Sequence, residues 1–515
     1  FFIESTNLTF DLNENETIVL NESIYYKNEN SKDKNDLYLD WEDLILEKIY
    51  LDDKELEKKD YTLDKVSLKI KDLPNKFKLK IVTKINPEQN KSLEWLYMSS
   101  WKFCTQCESE WFRKITYFLD RPDVLTYFKV KISADKNKFP FLLSNWNLID
   151  SWENDDWRHF AIWEDPFKKP CYLFALVAWD FSFIEDFFIT KSNRKVKLRI
   201  FSYHNNINRC NFAMESLKKS MKWDEDRFWL EYDLDIFMIV WVDNFNSWAM
   251  ENKWLNIFNS NYLLASPETS TDTDYKYVEK VIWHEYFHNW TWDRVTCRDW
   301  FQLSLKEWLT VYRDAEFTYD MHFRDIERID DVKYLRENQF LEDSWPLSHP
   351  IRPSYYEEID NFYTLTVYEK WAEVIRMYNT ILWEKWFQKW MKLYFDRHDW
   401  QAVTTEDFLK AMSDANNYDF SKFQTWYDQA WTPVVDIESE YFEESKKLLI
   451  RFRQSCRQTE ETKEKKPFVI PIKLWLIKKE WWEFNVWQEL FILDKKEDFI
   501  EYDNIDSNPT ISLFR

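Results

Sequence analysis

An α+β multidomain fold is predicted by three observations: a strand-rich first third, a long middle stretch of helical periodicity, and strand-like alternation resuming after Thr432-Pro433. At 515 residues the chain is too long for one hydrophobic core. Residues 1–181 carry short apolar runs, such as Val66 to Ile70 and Leu79 to Val82, between polar turns, and read as a β domain ending near Cys171 to Val177. Residues 182–432 read as mainly helical. A small strand region from Leu234 to Val242 sits among helices expected over 211–223, 278–290, 301–318, 364–379 and 405–414. Residues 433–515 read as a small β sandwich.

Composition narrows the partners. Lys and Arg number 70 against 92 Asp and Glu, a net charge of -22 that repels nucleic acid and anionic membrane. No apolar run approaches the roughly 18 residues that span a bilayer. The six cysteines lack the spacing of a disulfide framework, which suits a reducing cytoplasm. Cys104 and Cys107 have no second pair nearby to suggest a metal cluster. Runs from Asn28 to Asp36 and Glu460 to Lys466 read as solvated loops.

The chemistry is concentrated in His284-Glu285-Tyr286-Phe287-His288, followed nineteen positions later by Glu307. Two histidines four apart on a helix share a face, so both imidazoles can reach one tetrahedral zinc ion. Glu285 then projects beside the ion, where its carboxylate can act as general base and later as general acid. Glu307 is the expected third ligand, on a second helix of apolar period from Ser304 to Thr310. Asp314, two helical turns further on, can accept the outward N–H of a ligand histidine. A bare HEXXH match is otherwise often just an exposed helix face.

From Val281 to Phe317 the chain closely resembles the aminopeptidase N family of zinc metallopeptidases in its bacterial form. Trp248-Ala249-Met250-Glu251-Asn252 stands where that family has Gly-Ala-Met-Glu-Asn. The resemblance implies that Glu251 binds the free α-amino group of a peptide, with Ala249, Met250 and Asn252 lining the same subsite. It implies that Tyr368, in Asn361 to Lys370, stabilises the oxyanion. In Cys104-Thr105-Gln106-Cys107-Glu108 it implies that Glu108 joins Glu251 at the amine and that Gln106 lines the pocket. It further implies one Zn2+, peptide substrates with a free N-terminus, a saddle-like N-terminal β domain, a thermolysin-like (gluzincin) catalytic domain and a β sandwich. The expected protein acts as a cytoplasmic monomer, with neither nucleic acid nor membrane as partner. The chain opens at Phe1 and reads as truncated at both ends, without the family's large helical C-terminal domain.

The chain has no glycine and 31 tryptophans. Glycine supplies turn conformations that a residue with a β-carbon enters only at a cost. Trp481-Trp482 stands between two strand-like runs where Gly-Gly would make a hairpin, and Trp400 sits in a turn-like site. Trp248, Trp283, Trp292, Trp308 and Trp371 fall on family glycines, whereas Trp290 and Trp300 fall on family tryptophans. The expectation is that most tryptophans here stand for glycine, as follows if a UGA codon is read as glycine in the source cell. If they are real, an indole at Trp248 obstructs the edge resembling the family's substrate edge, and a silent peptide-binding scaffold becomes the rival to catalysis. A thermolysin-like endopeptidase using the same triad without an amine anchor is the other rival, and a lipid-epoxide hydrolase a remoter one.

Overall fold

The computed structural model describes residues 1–28, 35–145, 147–153, 157–290, 293–459, 462–480 and 483–514. Trp292, Trp481, Trp482, and residues 29–34 and 460–461 of the two expected loops lie outside the described residues, as does the side chain of Trp308. Two compact units form: residues 1–300 with 400–402, and residues 301–399 with 403–515.

The first unit opens with an eight-stranded sheet. Its central strands Phe2–Asp11, Thr17–Tyr26 and Lys76–Ile85 pair antiparallel, and Phe2–Asp11 also pairs in parallel with Tyr127–Asp135. In Lys76–Ile85 every second side chain, from Phe77 through Leu79 and Ile81 to Ile85, is buried, the period-two pattern of a strand with one face on a core. A four-stranded sheet contains the hairpin β1 (Trp95–Ser99) and β2 (Lys102–Gln106).

Further along this unit come α1 (Asn211–Arg227), β3 (Ile236–Val242), β4 (Ala249–Met250), β5 (Leu255–Asn259) and α2 (Asp272–Phe287). β3 and β5 are parallel neighbours and almost wholly buried, which explains the unbroken apolar run of β3. β4 pairs antiparallel with β5 and forms the sheet's edge. The sequence places a helix at 278–290; α2 instead starts at Asp272 and ends at Phe287. A capping box fixes its start: Thr271 Oγ1 accepts from the Asp274 N–H at 3.2 Å, and Asp274 accepts from the Thr271 N–H at 2.7 Å.

In the second unit, α3 (Ser304–Met321) packs against α4 (Trp371–His398), and Thr405–Asn416 packs against α4 in turn. The C-terminal part is built from two three-stranded sheets, with Phe452 of one stacked on Phe491 of the other at 4.6 Å. Strands Ile470–Glu480 and Glu483–Leu493 pair antiparallel, in register up to Glu480 and Glu483. The α+β architecture read from the sequence is the one observed.

Nineteen described residues adopt positive φ, and eight of them are tryptophan: Trp95, Trp101, Trp157, Trp229, Trp254, Trp383, Trp400 and Trp431. Most of the others are Asp or Asn, the residues that enter this region at least cost.

Candidate active site

α2 carries the first two expected ligands. His284 lies in its last turn, and His288 is the C-cap residue at φ -60°, ψ -21°, still helical, so the one-turn spacing survives although the helix stops three residues earlier than expected. Ile282 and Tyr286 sink the opposite face of α2 into the core, which fixes the direction in which the histidines project. Their Nε2 atoms face each other at 3.1 Å. Two imidazole nitrogens bound to one tetrahedral zinc ion would stand about 3.3 Å apart, so this pair fits such an ion. His288 is buried and His284 half-buried.

Glu285 is buried beside them. Glu251, Glu285 and His288 each offer a ligand atom within 4.8 Å of the others. Glu251 Oε1 is 3.8 Å from His288 Nδ1. Glu251 holds this position because it directly follows β4, whose Ala249 and Met250 are pinned opposite Phe258 and Ile257 of β5. Asn252 is fully buried, with neither side-chain Oδ1 nor Nδ2 partnered among the described residues. Gln106 Oε1, at the end of β2, is buried in the same condition. Buried polar atoms are rarely left unpaired, and such orphans suit a polar ligand. Glu108 is buried two residues beyond β2. Burial pushes the Tyr172 phenol well above its ordinary range, and the carboxylates of Glu108 and Glu251 both add to the rise, so the two acids lie within electrostatic reach of one ring.

Sequence reasoning missed Asp233. Its carboxylate accepts from Asn289 Nδ2 at 3.1 Å, and it faces Lys253 Nζ at 3.4 Å and an Arg294 nitrogen at 3.6 Å. One acid thereby ties the segment after α2 to the segment after Glu251. Its partners lie 20, 56 and 61 residues away in sequence, and no local pattern signals it.

The second unit carries the remaining expected residues. Glu307 is buried in the first turn of α3, with Lys306 Nζ 3.3 Å from its carboxylate. Asp314 is buried two turns later on the same helix. Tyr368 is half-buried in a single π-helical turn, Thr366–Lys370, directly before α4. Such turns recur at functional sites because the extra residue re-aims a side chain. Glu342 holds the start of this turn by accepting from the N–H groups of Leu365 and Thr366 at 3.2 and 2.8 Å, and Asp343 holds its end through Lys370 Nζ at 2.7 Å.

Comparison with known proteins gives the family. The chain matches the peptidase M1 N-terminal domain over residues 4–173, the peptidase family M1 domain over 212–427, and a domain of unknown function with an Ig-like fold over 431–515. Aminopeptidase N of Escherichia coli is 52% identical over 478 residues, covering 93% of this chain and 54% of that protein. Aminopeptidase N of Haemophilus influenzae is 56% identical over 419 residues, 81% of this chain and 48% of that protein. The crystal structure of Legionella pneumophila aminopeptidase A in complex with aspartic acid matches with a TM-score of 0.91 at 32% identity, covering 99% of this chain and 58% of that one. The chain spans about half the length of the curated relatives it matches. With both M1 domains matched in order and the HEXXH helix inside the second, the chain belongs to peptidase family M1.

Proposed function

We propose that this protein is a zinc-dependent aminopeptidase that removes the N-terminal residue from peptides, with His284, His288 and Glu307 holding a single zinc ion. The observation that carries the reading is the buried carboxylate of Glu251 beside Glu285 and His288. An acid fixed so close to the reacting centre selects a protonated amine and limits cleavage to the first peptide bond. An endopeptidase has no use for that charge.

When bound, zinc supplies Lewis-acid polarisation and lowers the pKa of a water molecule toward neutrality. The remaining work belongs to side chains of this chain. Glu285 takes a proton from the attacking water and delivers it to the leaving amine nitrogen. The Tyr368 phenol donates a hydrogen bond to the substrate carbonyl oxygen as that oxygen gains negative charge. Glu251 and Glu108 grip the α-ammonium group. Gln106 and Asn252 offer the unpaired polar atoms that a peptide end satisfies, and Ala249 and Met250 form the sheet edge along which it lies. Asp314 orients a ligand imidazole. A reducing cytoplasm suits the six unbridged cysteines, and no described helix is long and apolar enough to cross a membrane.

The test compares one peptide with its N-acetylated form. Cleavage of the free peptide alone supports the amine anchor; equal cleavage of both overturns it in favour of an endopeptidase.

A further inference from the structure

We infer that the eight tryptophans at positive φ are glycine in the protein as its own cell makes it, whereas Trp163 and Trp426 are tryptophan. Backbone conformation sets these eight apart from Trp163 and Trp426, independently of the catalytic reading. With 31 tryptophans among 515 residues, chance places about one in nineteen left-handed positions; eight are found.

The strongest single case is Trp383, at φ 62° and ψ 155° where two helical stretches meet within α4. That region of backbone space is essentially reserved for glycine, because a β-carbon collides there with the flanking peptide groups. Nothing about the side chain offsets the collision, since the indole is 69% exposed. A second case is the tip of the β1–β2 hairpin. Ser99 and Lys102 are paired, leaving the two-residue loop Ser100-Trp101 at φ 46° and 72°. Positive φ at both loop residues defines the type I′ turn, whose second position favours glycine. Trp101 is 74% exposed and again gains nothing. Trp254 fails in the opposite way: it is fully buried at φ 75°, and its indole N–H finds no hydrogen-bond partner among the described residues.

Trp163 and Trp426 behave as tryptophans should. Trp163 lies in the strand Arg158–Glu164, is buried, and donates its indole N–H to the Leu142 carbonyl at 3.1 Å. Trp426 lies in the helix Gln424–Asp428 and donates to the Val469 carbonyl at 2.8 Å. Glycine could supply neither the bond nor the volume. Two classes under one letter are what results when two codons are written alike and only one of them is decoded as tryptophan.

One tryptic peptide tests the partition. Cleavage after Lys422 and Lys446 releases Phe423 to Lys446, which contains Trp426 and Trp431, the latter at φ 78°. Fragment-ion sequencing of this peptide from the protein purified from its source organism is expected to read tryptophan at 426 and glycine at 431. Tryptophan at both positions overturns the inference. Glycine at both, or the reverse assignment, overturns the conformational criterion.

Discussion

Glu251 Oε1 lies 3.8 Å from His288 Nδ1, with both side chains almost entirely buried. The acid proposed to hold the substrate amine thus stands behind the imidazole proposed to hold the metal. Glu251→Gln should therefore lower kcat/KM for free peptides by roughly 10- to 100-fold, the loss of one charge-assisted contact. Zinc content, measured by elemental analysis, should stay the same. An unchanged kcat/KM would remove Glu251 from the amine subsite.

Glu285→Gln keeps the shape of the side chain and removes its basicity. Turnover should fall at least 100-fold while zinc is retained. A residual rate near that of the unaltered enzyme would assign the proton transfer elsewhere.

Chelation should abolish activity and leave the helical circular dichroism in place, because α2 is held by its capping box and its buried Val281, Ile282 and Tyr286 rather than by metal. One equivalent of zinc per chain should restore the rate and raise Tm, by linkage of about 4 kcal/mol at a thousandfold excess over Kd. A requirement for two equivalents would refute the single-ion site.

Stability should fall between about pH 4.5 and pH 7 through Glu110. Burial pushes its carboxyl up to about 7; Arg113, 3.3 Å away, opposes the shift, while Asp120 and Asp40 add to it. Because the folded state holds this proton more tightly than the unfolded chain does, the contribution is complete below the unfolded value and lost as pH rises through 7. The group is about one-fifth exposed, so solvent screening brings its share to about 2 kcal/mol, below what the full shift would give. Glu110→Gln should flatten this part of a denaturant-measured stability profile. An unaltered slope would show that Glu110 does not carry this pH dependence.

In protein carrying tryptophan throughout, Trp383→Gly should raise stability by about 1 to 3 kcal/mol, the cost of holding a β-carbon in that backbone region. Trp163→Gly should lower it by at least about 3 kcal/mol through the cavity left behind. Chemical denaturation of the two variants reads both. A destabilised Trp383→Gly variant would mean that the indole contributes there.

Local patterns made much of this protein legible. The strands around Leu79 and the helix bearing His284 follow from periodicities of two and 3.6, which depend only on near neighbours. α2 ends three residues before the apolar pattern does, because a helix terminus depends on the tertiary partners of its last turn.

The sequence by itself determined the α+β class, the histidine pair with its adjacent base, and the shortage of glycine at turns, because each is written in composition or in spacings of a few residues. Only the tertiary structure decided which tryptophans occupy left-handed backbone, that Glu251 stands behind His288, and that Asp233 joins three groups distant in sequence. Those relationships arise when long loops close and buried charges seek partners across the core, a cost and a gain that no window of neighbouring residues contains.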